Sequence, residues 1–303
     1  MMEVFVTGGT GAIGGYAVPA LVAGGHRVKA LARSEEAAAK LSAHGAEPVR
    51  VSLFDVPGLT EAFAGSDAVV NLASALPSTT KFVFYSAWKE CLRIRSEGSA
   101  AVVDAALGAG VRRVIQESVV MIYADQGDRW IDESAPVEEF PIARGNFAAE
   151  ASARRFGEAG GQATVLRFGV FYGWGAAHSE QILSMARRGI GFAPGPPDSY
   201  LSSIQLTDAA AAVVAALDAP AGTYNIVDDD PVTTRGNVDA LAGAVGRRPL
   251  ITGPGRAALL LGDRLTSLTR SLRVSNAAFR AEADWAPRYP SVREGYAQMA
   301  AEG

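Results

Sequence analysis

Gly8, Gly11 and Gly14 follow directly on the apolar run Val4-Phe5-Val6, and a helix pattern begins at Tyr16. That order of residue types suits the holding of an anion. A buried strand delivers the chain to a glycine turn, and the turn opens a helix whose first N–H groups have no partner within the helix. A pyrophosphate laid on this first turn would be bound by bare backbone, and a side chain at Gly8 or Gly11 would obstruct it. The next strand ends on Ala32-Arg33-Ser34, where a dinucleotide fold that selects NAD carries a carboxylate. A carboxylate repels a 2′-phosphate, whereas a guanidinium can clamp one with two hydrogen bonds. These residues favour NADP(H), with Arg33 and Ser34 at the 2′-phosphate and Thr10, Gly11, Ala12, Ile13 and Gly14 at the pyrophosphate. A solvated strand end is the other reading of Arg33.

The elements that must position these groups alternate along the chain. Apolar patterns predict strands over 4–6, 27–32, 48–53 and 114–117, with helices over 16–22, 35–44 and 88–109 between them. Strand–helix alternation with short buried strands predicts an α/β fold, a Rossmann doubly wound parallel sheet. Residues 1–171 would form the NADP-binding domain, to which the chain returns at about 201–228. Residues 172–303 would form a smaller, partly helical substrate-binding region interleaved with it. Leu261, Leu265, Leu268 and Leu272 lie at helical spacing, either as ordinary core or as a helix over an apolar pocket.

A formal net charge of −4 over 303 residues gives no reason to expect nucleic acid or an anionic membrane as partner. The single cysteine, Cys91, allows no internal disulfide and suits a reducing, cytoplasmic setting. No secretory signal and no membrane span are expected, since no apolar run approaches ~18 residues.

Thr7-Gly8-Gly9-Thr10-Gly11-Ala12-Ile13-Gly14 reads TGxxGxxG. It resembles the short-chain dehydrogenase/reductase superfamily, and most of all its extended, epimerase-like branch. Later segments keep the likeness: 67–74 as a fourth strand with a small-residue end, 166–173 as a further strand, the stretches 203–209 and 222–227, and Trp285-Ala286-Pro287. The resemblance implies that Asp55 accepts from the adenine amino group and that Leu72, Ala73 and Ser74 let backbone pass close to the cofactor. It also implies that the strand containing Phe168 delivers backbone to the nicotinamide end, and that Ser118 and Asn146 border the cofactor.

The superfamily reduces carbonyls with a Ser, a Tyr and a Lys, the last two as YxxxK on one helix. Tyr supplies the proton, Lys lowers its pKa and binds the nicotinamide ribose, and Ser orients the carbonyl. Aligned on Tyr123, Pro141 and Glu150, those positions fall on Val119, Ile142 and Asn146, and an Asn common in the preceding helix becomes Arg95. All four are substituted. The YxxxK that does occur, Tyr85 to Lys89, precedes the fifth strand, whereas the catalytic helix follows it. Weak alternative proton donors are Ser118, Tyr123, Tyr172 and His178.

This departure is similar to triad-lacking ketoreductases of aromatic polyketide tailoring, the angucyclinone type. It implies an NADPH-dependent ketoreductase of a bulky small molecule whose own acidic hydroxyl provides the proton. A non-catalytic NADP(H) sensor and a nucleotide-sugar epimerase or dehydratase are the rival expectations. No metal is expected, and a homodimer through 88–109 and 143–158 is left open.

Overall fold

The computed structural model describes residues 1–302. Its first half alternates strictly: β1 (Glu3–Thr7), α1 (Gly14–Ala23), β2 (Arg27–Leu31), α2 (Glu35–Ala43), β3 (Glu47–Val49), α3 (Val56–Phe63) and β4 (Ala68–Asn71). Next come α4 (Lys89–Arg93), a π-helical turn (Ile94–Gly98), α5 (Ser99–Gly108), β5 (Arg113–Val119), β6 (Trp130–Ile131), α6 (Arg144–Glu158) and β7 (Gln162–Phe168). Short elements then mix: β8 (Val170–Tyr172), α7 (Ala177–Arg187), β9 (Ile190–Pro194), β10 (Tyr200–Leu201), β11 (Ser203–Gln205), α8 (Leu206–Ala215) and β12 (Gly222–Ile226). The chain ends with β13 (Val232–Thr233), α9 (Thr234–Val245), β14 (Ile251–Gly255), α10 (Thr266–Thr269), β15 (Arg273–Val274), α11 (Ala277–Glu282) and α12 (Val292–Glu302).

Seven strands form one parallel sheet in the order β12-β7-β5-β4-β1-β2-β3. Order reverses beside β1, and ligands of such sheets lie at the carboxyl ends of the strands at this reversal. Both faces are covered, which is why the strands read as apolar runs rather than alternating ones. Val4, Val6, Val70 and Ile115 pack towards Val18 and Leu21 of α1 and Val213 of α8. Phe5, Val69 and Val114 pack against Phe63, Val102 and Phe156 of α3, α5 and α6. Four two-stranded pairs, β8 with β11, β9 with β14, β10 with β13 and β6 with β15, lie outside this sheet.

Three expectations change. The third strand stops at Val49 rather than Leu53, because Asp55 caps α3 by accepting from the Gly58 N–H at 3.2 Å, so the preceding residues turn instead of pairing. The predicted strand 166–173 is two strands. A side chain at Gly169 would meet the Ser202 carbonyl at 2.8 Å, and past this close approach β8 leaves the main sheet to pair with β11. The leucine stripe is not one helix. A 3₁₀ segment, Arg256–Arg264, kinks at Gly262 (φ 48°), and the chain is extended again at Arg270 after the single turn of α10. Leu265 and Leu272 are buried but Leu261 is exposed, so the four leucines share no face. The helix expected over 88–109 is helical throughout, interrupted by the π turn at Ile94–Gly98.

Candidate cofactor and active site

The β1–α1 turn owes its glycines to its own packing. Gly8 has φ +72°, and a Cβ there would stand 2.4 Å from the Leu72 carbonyl at the end of β4. A Cβ at Gly14 would meet the Gly8 carbonyl at 2.2 Å. Gly8 therefore serves the approach of two strand ends, a different reason from obstruction of an anion. The face left over does suit an anion. Thr10, Gly11 and Ala12 are exposed, and the N–H groups of Ala12 and Ile13 find no acceptor among the described residues. Ten residues of α1 aim their dipole at the same spot. Leu72 is buried, Ala73 half-buried and Ser74 exposed beside this turn.

Arg33 is exposed just past β2 and has no ion-pair partner among the described residues. Ser34 caps α2, its Oγ accepting from the Ala37 N–H at 3.1 Å, and keeps its own proton to give. Asp55 is exposed. One oxygen is taken by its capping bond, and the other has no protein donor among the described residues. The Phe168 ring is core, 5.2 Å from that of Phe171, so only its backbone is available to a ligand. Together the cradle and the strand-end residues fit a dinucleotide.

Val119, Ile142, Asn146 and Arg95, the residues expected at the superfamily's chemical positions, lie near one another at this end of the sheet. Ile142 is buried and Val119 half-buried in one apolar cluster with Trp88, Cys91, Ile122 and Phe140. Behind them Arg95, carried inward by the π turn, donates from Nη1 to Asn146 Oδ1 at 2.9 Å and from Nη2 to Glu117 Oε1 at 2.8 Å. All three residues are at most 4% exposed. Gly145 lets α6 come this close, since a Cβ there would stand 2.9 Å from the Arg95 Cβ. Burial pushes the Glu117 carboxyl up, against the pull of the Arg95 charge. Arg95 Nε, Glu117 Oε2 and Asn146 Nδ2 are buried with no hydrogen-bond partner, and such unmet groups are few in a folded chain.

The alternative proton donors are not gathered there. Ser118 is fully buried and donates to Glu150 at 2.7 Å. Tyr123, also fully buried, donates to Asn225 at 2.8 Å and accepts from Arg167 at 2.8 Å, and burial raises its pKa. Tyr172 is buried against Tyr296 and donates to the Ser291 carbonyl, with its pKa raised by burial. Only His178 is half-buried, its Nε2 2.6 Å from the Phe171 carbonyl and its pKa lowered by burial. The three hydroxyls are thus spent on protein acceptors. Tyr85 and Lys89 are both exposed, with Arg264 stacked 5.6 Å from the Tyr85 ring.

Sequence reasoning missed Glu117 as a site residue and treated Glu150 as a motif marker only. Glu150 is held bidentately by Arg167 at 2.7 and 2.8 Å. A charged residue inside an otherwise apolar strand pattern was the available signal for both Glu117 and Arg167. A further acid, Asp228 just past β12, is buried with neither oxygen partnered, and burial raises its pKa well above the usual carboxylate range. Among the described residues no cluster of His, Cys, Asp and Glu is placed to hold a metal ion, and no helix is long and apolar enough to cross a membrane.

Residues 8–220 match a family model described as NAD(P)H-binding. A 3-diazoavenalumate denitrifying reductase from a Streptomyces species is 31% identical over 305 residues, covering 97% of this chain and 99% of the relative. A 4-hydroxy-2-methyl-3-oxo-4-farnesyl-3,4-dihydroquinoline-1-oxide ketoreductase from Stigmatella aurantiaca is 38% identical over 143 residues, 47% of this chain and 41% of the relative. Among solved structures, a human epimerase family protein with NADPH superposes with a TM-score of 0.84 at 23% identity over 100% of both chains. Thermus thermophilus UDP-glucose 4-epimerase with NAD gives 0.77 at 23% identity over 99% of this chain and 98% of that one.

Proposed function

Because the chain belongs to the NAD(P)H-binding family and has the epimerase-like short-chain dehydrogenase/reductase fold, we propose that it is an NADPH-dependent ketoreductase. Its substrate is a bulky, polyketide-type aromatic ketone that supplies its own proton. One observation carries this: Val119 and Ile142 fill the Ser and Tyr positions with hydrocarbon, and the Lys position holds a neutral amide, Asn146. The bound dihydronicotinamide would supply hydride. The chain's share is then to bind, to orient and to exclude water.

Arg33 and Ser34 take the 2′-phosphate, and the Thr10 to Gly14 turn with Ala73 and Ser74 takes the pyrophosphate. Asp55 takes the adenine, and the Phe168 backbone and Asn146 stand at the nicotinamide end. The apolar pair Val119 and Ile142 packs an aromatic face. As hydride reaches the carbonyl carbon, the carbonyl oxygen takes the proton of a neighbouring phenol, and solvent later returns one to the phenolate. Ser118 is not part of this contact set, since its hydroxyl is committed to Glu150.

The Streptomyces relative, matched over nearly its full length, favours a second reading, reduction of an aryl diazo group. There hydride ends on carbon and dinitrogen leaves, so the step balances with no acid from the chain. An epimerase or dehydratase needs a protein acid–base that these positions lack.

The test is incubation with NADPH and three probes: a phenolic polycyclic ketone, its O-methyl ether, and an ortho-hydroxy aryl diazo compound. Loss of NADPH absorbance and product mass are followed. The phenolic ketone should turn over, and methylation should slow it by ~10²–10⁴, the worth of a general acid. Equal rates on ketone and ether overturn the substrate-supplied proton. Turnover of the diazo compound alone selects the second reading. Binding of NADPH with no turnover of any probe makes the chain a sensor.

A further inference from the structure

We propose that the exposed ridge formed by β14 and the 3₁₀ segment after it docks the chain on an anionic lipid bilayer. The inference stands apart from the reductase reading and uses none of its residues.

From Gly246 to Arg264 the chain is exposed everywhere except at Pro249, Gly253, Gly255 and Ala258. Large apolar side chains stand out along this run. Leu250 is 79%, Ile251 71% and Leu260 88% exposed, with exposed Leu259 and Leu261 on either side of the last. Ile190 of β9 is the register partner of Ile251 and is exposed as well, so the strand pair turns a hydrocarbon tip outward. Single apolar residues on a surface are ordinary, but a contiguous set this exposed marks an interaction face.

The charges on the ridge are almost all of one sign. Arg187, Arg188, Arg247, Arg248, Arg256 and Arg264 are exposed, and none has an ion-pair partner among the described residues. Residues 187–190 and 246–264 hold one acid, Asp263, in a chain whose formal net charge is −4. The two residue types interleave in space as well as in sequence. A Cβ at Gly189 would stand 3.3 Å from Arg247 and 3.4 Å from Leu250, and Arg247 donates to the Arg187 carbonyl at 3.0 Å. At the other end Arg264 lies 5.6 Å from the ring of exposed Tyr85.

Six unpaired guanidiniums repel a second copy of the same face and call for an anionic partner. Pro254 has no N–H to offer on β14, which blunts the strand as a template for an added peptide. At 71–88% exposure Leu250, Ile251 and Leu260 protrude rather than line a groove, and a protein partner would need a matched pocket for each. A bilayer needs no such match. The aliphatic side chains enter the acyl boundary, and the arginine stems follow while their heads stay among the lipid phosphates.

The test is cosedimentation of the full-length chain with sucrose-loaded vesicles, of phosphatidylcholine alone or with about 30% phosphatidylglycerol. The chain should bind the anionic vesicles, release as salt rises, and bind the neutral ones about tenfold or more weakly. Arg247→Ala combined with Arg248→Ala should lower partitioning about 25-fold, roughly fivefold for each arginine. Leu260→Asp and Ile251→Asp should each lower it by about tenfold or more, since each withdraws an inserted side chain and adds a repelled charge. Arg154→Ala, an exposed change on α6 outside the ridge, should lower it by less than about twofold. Melting temperatures should match wild type throughout, which separates lost docking from lost folding.

No binding to the anionic vesicles at low salt overturns the proposal and leaves the ridge to an acidic protein. So does binding that either Leu260→Asp or Ile251→Asp leaves unchanged, which would be adsorption by charge alone. A loss in Arg154→Ala as large as that for one ridge arginine overturns it too. Reductase turnover is measured without vesicles, so the two readings fail separately.

Discussion

Two buried arginine–glutamate systems stand side by side at the carboxyl end of this sheet, and they are built to opposite ends. Glu150 and Arg167 meet in a bidentate pair and take in Ser118 and Tyr123, whose hydroxyl continues to Asn225. Of that group only Asn225 Nδ2 lacks a partner. Arg95 and Glu117 share one hydrogen bond, reach one amide, and leave three polar atoms unmet. The first network ties α6 to β5, β7 and β12 and leaves a single amide nitrogen unmet. The second bears the cost of its unmade bonds. Residue types and burial are nearly the same in the two, so polar satisfaction rather than charge is what distinguishes them.

The comparison breaks most directly at Arg167. Arg167→Met strands Glu150 in the core and should cost about 3–5 kcal/mol in urea unfolding, while the NADPH Kd of the folded protein stays within about twofold of wild type. A large loss of affinity without loss of stability would make Arg167 part of the cofactor site.

A smaller effect is expected at Asp228, which tests whether an unmet buried group is always a site. Its raised pKa means the folded chain holds the proton longer than the unfolded one. That contribution is complete below the usual carboxylate pKa and is lost as pH rises through the raised value, where the charge must be buried. Asp228→Asn should therefore raise the melting temperature at pH 8, by the equivalent of about 1–3 kcal/mol, and much less at pH 4, with NADPH affinity unchanged. A fall in affinity would place Asp228 in the site.

The smallest effect belongs to an exposed cation. Arg33→Ala should weaken NADPH by about tenfold (~1.4 kcal/mol) and leave NADH unchanged, and added salt should shrink the difference. Equal loss for both cofactors would make Arg33 a solvated strand end.

Much of the fold was legible because its signals are local. Val4-Phe5-Val6 followed by Gly8 and Gly14 can hardly be anything but a strand and a tight turn into a helix, and the later strands repeat the apolar signature of a doubly covered sheet. Where reading failed, the cause was the helix cap at Asp55, which ends the third strand early, or a glycine given too little weight. Gly262 breaks the leucine stripe, and Gly169 turns the chain out of the main sheet. The substituted positions Val119, Ile142 and Asn146 could be named from motif spacing. Their consequence could not, because it depends on Arg95 and Glu117 meeting across 22 residues and on a π turn with no sequence mark of its own.

By itself the sequence determined the alternation of elements, the glycine cradle and the absence of a Tyr–Lys pair on the expected helix. These follow from backbone sterics and side-chain period, which act over a few residues. Only the tertiary structure decided which buried polar groups close on one another and which stay open. Hydrogen-bond satisfaction depends on atoms brought within about 3 Å by packing, and no spacing along a chain encodes that distance.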